Sequence, residues 1–325
     1  MKYVPLGSTG VKVSELCLGT MSFGGDADEA TSAAMYKLCR DRGVNFFDCA
    51  DVYVKGRSEE ILGRLIKGER DDLVITSKCH GAMSDDINNR GNNRRHIVQA
   101  VEASLKRLGT DRLDVYFMHH FDASLPLEEI LRALESLVQD GKVLYLGCSN
   151  YAAWQITKAL GISERRGWSR FDVIQPMYSL LKRQAETEIL PMAASEKLGV
   201  ICYSPVAGGV LSGKYTPGTT PNDGRLVTHH KYADRYGEEG TFETAQQFAD
   251  YARDHGYNPV SLAVAWVKSH AAVTAPIMGA RSAEQLTPSL DAVEIDLTPE
   301  QRAEVSLLSR APALATDRRE EQLEG

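Results

Sequence analysis

The chain has 325 residues, 43% of them hydrophobic and 25% charged, with a formal net charge of −7 and a pI near 5.7. That balance gives no basic stripe to neutralise phosphates, which argues against nucleic acid as a partner, and no run nears the roughly eighteen apolar residues of a membrane span. Six cysteines, at 17, 39, 49, 79, 148 and 202, lie mostly inside apolar runs without CxxC or CxxH spacing, which fits a protein of the reducing cytoplasm.

Residues 1–11 lack the apolar core and small-residue cleavage site of a signal peptide. With Gly-Ser-Thr-Gly at its turn, this segment is expected to form a hairpin that plugs the floor of the fold. Short β-branched or apolar runs then alternate with segments of helical period. Strands are expected at 13–19, 45–49, 73–77, 113–118, 143–147, 172–175, 199–203 and 273–278. Helices are expected at about 27–42, 58–67, 94–108, 127–140, 151–163, 186–198, 258–269 and 282–290, with one extra near 243–255. Gly43, Gly109, Gly141 and Gly199 each follow a helix and precede a strand, where a left-handed C-cap falls. Eight βα units without a Pro-, Gly- or Ser-rich linker specify one domain over 1–325, a (β/α)8 TIM barrel with long loops at its C-terminal face. A dinucleotide-binding doubly wound sheet would need GxGxxG after the first strand, and LCLGTMSFGGD lacks that spacing. Two segments, 79–93 and 206–240, are long enough to be lids or binding loops.

Barrel enzymes carry their sites at the C-terminal ends of strands. Asp48 ends the second strand, with Tyr53 five residues on; Lys78 ends the third, and His119-His120 end the fourth. Adjacent strands lie about 4.8 Å apart, so these groups can meet over the barrel mouth. Residues two apart share a face: Leu113, Val115, Phe117 and His119 form the apolar, inward set, whereas Asp114, Tyr116, Met118 and His120 form the other. His119 is therefore the inward histidine. A phenol ionises near pH 10, and Lys78 is the cation that could lower this, held in turn by Asp48, while His119 donates to a carbonyl oxygen. Each residue alone has an ordinary structural explanation; the four together point to proton transfer.

With these residues identified, the chain resembles the aldo-keto reductase superfamily from the first hairpin to about residue 290. GVNFFDCADVY (43–53) resembles the family's Gly…Asp…Ala…Tyr signature, ITSK (75–78) its lysine strand and LDVYFMHHFD (113–122) its histidine block. The resemblance implies a catalytic tetrad of Asp48, Tyr53, Lys78 and His119. It also implies a nicotinamide cofactor at the barrel mouth, with contacts from Gly19, Thr20, Met21 and Asp48 at the first two strand ends. GCSN (147–150), hence Ser149 and Asn150, and Gln175 match the carboxamide ligands, and Tyr203 matches the aromatic that stacks on the nicotinamide. YSPVAGGVLSGKY (203–215) resembles the loop around the pyrophosphate, bringing Ser204, Pro205, Val206, Gly208, Leu211, Gly213 and Lys214. IMGARSAEQL (277–286) resembles the adenosine-phosphate segment, bringing Gly279, Ala280, Arg281, Gln285 and, further along, Ser289. Arg281 suits a 2′-phosphate and favours NADP over NAD.

The sequence departs from the family pattern in three places. Cys49 stands where Ser or Thr is usual, Ser289 where Asn usually meets adenine, and Gly279 where a cation often opens the final motif. The last is a trait of the family's distant bacterial and channel-subunit branches. The implied reaction is reversible hydride transfer between the nicotinamide and a small-molecule aldehyde, ketone or sugar, with no metal. Phe23, Tyr53, His80, His119 and His120 are candidate substrate contacts, along with Met21, Phe121 and the 206–240 loop. A Schiff-base lyase using Lys78 would not need the cofactor motifs. A cofactor-binding regulatory subunit of the same fold stays open as the alternative.

Overall fold

The computed structural model describes residues 1–215, 217, 224–228, 230–316 and 318. A hairpin of β1 (Tyr3–Pro5) and β2 (Lys12–Ser14) precedes the barrel strands β3 (Cys17–Gly19), β4 (Phe46–Asp48), β5 (Val74–Cys79) and β6 (Leu113–Met118). The barrel continues with β7 (Val143–Ser149), β8 (Phe171–Gln175), β9 (Gly199–Cys202) and β10 (Ala275–Met278). All pair in parallel, and β10 meets both β9 and β3, so the sheet closes: a (β/α)8 TIM barrel, as the alternation predicts.

The expected strand 13–19 proves to be two strands. Lys12–Ser14 pairs antiparallel with Tyr3–Pro5, and only Cys17–Gly19 enters the barrel. The break falls at Glu15, whose carboxylate accepts from the Lys2 amide at 2.7 Å and from Lys268 Nζ at 3.1 Å. The hairpin turn packs against the start of β9. A Cβ on Gly7 would collide with the Gly199 amide, and one on Gly199 would come within 2.8 Å of the Leu6 side chain. Gly199 thus serves close approach; the left-handed cap before β9 is Lys197, at φ 55°. Gly43, Gly109 and Gly141 do take positive φ, as expected.

Two apolar clusters result. Leu6, Val13, Cys17, Phe46, Val74, Val115, Phe117, Val173, Ile201, Ala275 and Ile277 fill the lumen above the hairpin. A larger cluster joins the outer strand faces to the helices and includes Tyr116, Met118 and also Leu113, which the parity reading placed inward. The helices between strands are α1 (Glu29–Asp41), α2 (Arg57–Leu65), α3 (Arg94–Leu108), α4 (Leu127–Gln139), α5 (Ala153–Arg166) and α6 (Ile189–Ser195).

The segment 206–240 carries helices of its own: a 3-10 turn over Ala207–Ser212, then α7 (Arg225–Thr228) and α8 (His230–Tyr236). Residues 216, 218–223 and 229 of that segment lie outside the described residues. The extra helix is α9 (Thr241–Asp254), followed by α10 (Pro259–Lys268) and α11 (Ala283–Asp291). A last helix, α12 (Pro299–Ser306), was not anticipated, although Thr298 and Gln301 form a capping box around Pro299 at its first turn. Its Arg302 lies 4.5 Å from the Trp266 ring centroid and donates to Tyr178 Oη at 2.8 Å. Among the described residues no helix is long and apolar enough to cross a membrane.

Candidate active site

The strand register assembles the site. Asp48 sits beside Gly19 on β3 and Thr76 on β5, and Lys78 lies one residue pair further along the same face of β5. Tyr53 comes back to within 3.4 Å of Lys78, and just past it the chain turns sharply: Val54 and Lys55 take left-handed φ of 47° and 52°, costly for residues with a Cβ. Further round the mouth, Asn150, Ser204 and Ala207 are also left-handed, at φ 59°, 60° and 52°. Strain of this kind concentrates where a fold must aim side chains at one place. Gly147 serves the same end by leaving room: a Cβ there would strike the Phe117 ring, which lies beneath His119 in the lumen.

Lys78 is fully buried and uses all three ammonium protons. It donates to Asp48 Oδ2 at 2.6 Å, to the Cys49 carbonyl at 2.6 Å and to Tyr53 Oη at 3.4 Å. Asp48 Oδ1 accepts from Thr76 Oγ1 at 2.7 Å and Gln175 Nε2 at 2.8 Å, so the carboxylate is satisfied on both oxygens. Burial pulls the Lys78 pKa down, but the charge of Asp48 and the Tyr53 oxygen outweigh it and push it up; the ammonium stays charged.

Tyr53 departs from the expectation. Burial dominates and raises its pKa to about 12, with Lys78 opposing and Asp48 adding to the rise. The phenol is therefore neutral, its oxygen accepting from Lys78 and its own proton available to the cavity. The His119 ring lies 6.0 Å from the Tyr53 ring at 80° and stacks on His120 at 5.0 Å. Burial first, then the charges of Lys78, His120 and His80, lower the His119 pKa well below the ordinary imidazole value. The ring is therefore neutral. His120 is exposed and tilts against His80 at 5.3 Å. His119→Ala is thus expected to lower kcat/KM by about a hundredfold or more, a typical loss for a donor to the reacting oxygen. His120→Ala should change it by less than about tenfold; steady-state assays of both variants check the order, and a reversed ranking excludes the inward register of His119.

A cavity of about 330 Å³ opens over these groups, within the usual range for ligand sites. Of the residues the resemblance assigns to the cofactor, Thr20, Leu211 and Gly213 do not line it; the others do. Thr20 sits behind the strand end, its hydroxyl on the Asp48 carbonyl at 3.1 Å, and Leu211 belongs to the core. Gly213 ends the 3-10 turn at φ 81°. Among the substrate candidates, Met21, Tyr53, His119 and His120 line the cavity, and Phe121 does not. Phe23 is wholly buried in the core, and His80 is turned toward Asn92, its Nδ1 3.0 Å from Oδ1.

The polar groups fit a carboxamide. Ser149 Oγ donates to the Gln175 carbonyl, Asn150 Nδ2 to the His119 carbonyl, and Tyr203 Oη to Asn150 Oδ1, at 2.8, 2.9 and 2.7 Å. These bonds fix the side chains and, among the described residues, leave Gln175 Oε1 without a donor. At the far end, no atom lies within 4 Å of where a Gly279 Cβ would stand, and Ser282 caps α11 through the Gln285 amide. That open helix start suits an anion.

Ser22 and Val260 line the cavity without having been signalled by the sequence, whereas Ile277 and Met278 fall within IMGARSAEQL and Gly209, Ser212, Tyr232 and Arg235 within the 206–240 segment, none of them singled out there. Ile277 and Met278 end β10 and were accessible to the strand-end rule. Tyr232 and Arg235 carried no such signal, because α8 reaches the mouth only by the path of a long loop.

The model of the Aldo/keto reductase family matches residues 15–309. An uncharacterized oxidoreductase of Bacillus subtilis is 39% identical over 315 residues, covering 92% of this chain and 93% of that protein. A probable voltage-gated potassium channel subunit beta of Arabidopsis thaliana is 37% identical, covering 91% and 92%. Versiconal hemiacetal acetate reductase of Aspergillus parasiticus is 31% identical, covering 93% and 95%. With the closed barrel and the strand-end cluster, these matches make the chain a member of the aldo/keto reductase family, the nicotinamide-dependent carbonyl reductases.

Proposed function

We propose that this protein is an NADP-dependent reductase that interconverts aldehydes, ketones or sugars with their alcohols. One observation carries the reading: Lys78 donates to Tyr53 Oη while both the lysine and its partner Asp48 are buried, which leaves the phenolic proton for a substrate oxygen. When bound, NADPH supplies the hydride. Tyr53 delivers a proton to the carbonyl oxygen, and His119 donates a hydrogen bond to that same oxygen. Lys78 holds the phenol in place and is positioned to favour the phenolate left behind, with Asp48 anchoring the ammonium. Ser149, Asn150 and Gln175 would hold the carboxamide and Tyr203 would pack on the ring; Lys214 and the glycine turn would meet the pyrophosphate. Arg281 would meet the adenosine 2′-phosphate, with Gln285 beside it and Ser289 toward the adenine.

The cofactor assignment has a direct test. Arg281→Ala should raise the KM for NADPH about tenfold or more, the value of one charge-assisted contact, with little change for NADH. Equal effects on both exclude the 2′-phosphate role. The likeness to a channel β-subunit favours a second reading, a cofactor-binding regulatory protein with little turnover. A panel of aldehydes, ketones and sugars with NADPH and NADH separates the two, since complete absence of turnover supports the regulatory one.

A further inference from the structure

The mouth of the cavity has a charge pattern that carbonyl reduction alone does not call for. The α8 helix lies across it. Arg235 lines the cavity, its guanidinium carbon 5.9 Å from the Tyr203 ring centroid and 5.3 Å from that of Tyr232. Tyr203 is tied through Asn150 to the carbonyl of His119, so Arg235 borders the same cavity wall as His119. Lys231, four residues earlier and so on the same helix face, is close enough for its charge to disfavour protonation of His120, after burial and His80. Among the described residues no carboxylate pairs with Arg235 or Lys231. Asp122, two residues past His120, is occupied: its oxygens accept from the Asn92 amide and from the Ser124 amide and hydroxyl. In a protein of net charge −7, Arg235 at the cavity wall and Lys231 further along α8 thus bring positive charge to the side of the mouth where His120 stands.

A half-buried guanidinium held on aromatic faces and lacking an acid is a receptor for an oxyanion. The phosphates of the cofactor have cations of their own at other points of the cavity, Lys214 after the glycine turn and Arg281 before α11. We propose that Arg235, supported by Lys231, binds an anionic group of the substrate, so that the preferred substrates are carbonyl compounds bearing a carboxylate or phosphate. The carbonyl end would address Tyr53 and His119, and the anionic end would lie under α8. The proposal rests on the carbonyl-reductase reading for its turnover assay and has a binding assay that does not.

The test compares matched pairs, benzaldehyde with 4-carboxybenzaldehyde and glyceraldehyde with glyceraldehyde 3-phosphate, in wild type, Arg235→Leu and Arg235→Lys. The wild type should show kcat/KM about tenfold to a hundredfold higher for the charged member of at least one pair, the worth of one charge-assisted contact. Arg235→Leu should bring that ratio near one, and Arg235→Lys should retain part of it. The pair that loses its preference identifies carboxylate or phosphate as the group read. The affinity for NADPH, measured by quenching of protein fluorescence, should stay within about twofold, because its phosphates are held by other cations. A wild-type ratio near one, or a loss of NADPH affinity matching the loss of turnover, overturns the proposal. If no aldehyde turns over, terephthalate and terephthalamide binding to the NADPH complex decides instead. Preference for the dianion that Arg235→Leu removes supports the anion site while the reductase reading falls; equal binding sinks both.

Discussion

Tyr53→Phe is expected to reduce kcat for carbonyl reduction by about two to four powers of ten, the usual worth of a positioned general acid. The substitution removes one oxygen. The ring stays, and so does its edge-on contact with His119. What disappears is the proton donor and the 3.4 Å acceptor of Lys78, whose two shorter bonds, to Asp48 and the Cys49 carbonyl, persist. Stability and NADPH affinity should therefore barely change, so that the loss lies in kcat. Retained turnover would remove the acid assignment. The protonation state can be checked separately in cofactor-free protein. The Tyr53 pKa is raised to about 12, chiefly by burial, so the neutral form persists as pH rises through the ordinary phenol value of about 10. The wild-type minus Tyr53→Phe difference in phenolate absorbance should then be flat up to that pH.

Much of this arrangement could be read in the sequence, and the reason is geometric. A parallel strand buried on both faces is uniformly apolar, so Asp48, Lys78 and His119 stand out at strand ends, and a period of two assigns their sides. The same logic misjudged Leu113. At the first residue of β6 the outer shell of helices, rather than the lumen, claims the side chain. It also misread 13–19, because an apolar run shows that residues are buried without showing which sheet they join. The sign of the Tyr53 shift was beyond the sequence altogether. It depends on the balance between one ammonium at hydrogen-bonding distance and the loss of water around the ring, and only coordinates give both. Arg235 was legible only as part of the long 206–240 loop, for another reason. It reaches the mouth by tertiary packing of α8 against the glycine turn, where Tyr232 sits so close to Gly208 that a Cβ there would meet its ring at 2.7 Å.

Lys78→Met is expected to be the most damaging single change, because it breaks a buried ion pair from one side. Lys78 is 0% exposed and Asp48 2%, and removing one member of such a pair costs about 3–5 kcal/mol by stranding the other charge. Here the lower end applies, since Thr76 Oγ1 and Gln175 Nε2 still donate to Asp48 Oδ1. The sign with pH follows from the lysine. Its folded pKa is raised above the ordinary 10.5, so the pair's stabilisation is fully present at neutral pH and is lost only as pH rises through the folded value. Lys78→Met with Asp48→Asn should recover most of the stability, because the stranded charge goes with its partner, and denaturant titration at neutral pH measures this directly. Activity should not recover in the double variant, since the phenol then has neither the ammonium that stabilises its anion nor the carboxylate that holds the ammonium. Equal destabilisation of single and double variants would mean that Lys78 supports the barrel through packing of its aliphatic stem, and that its charge contributes to chemistry alone.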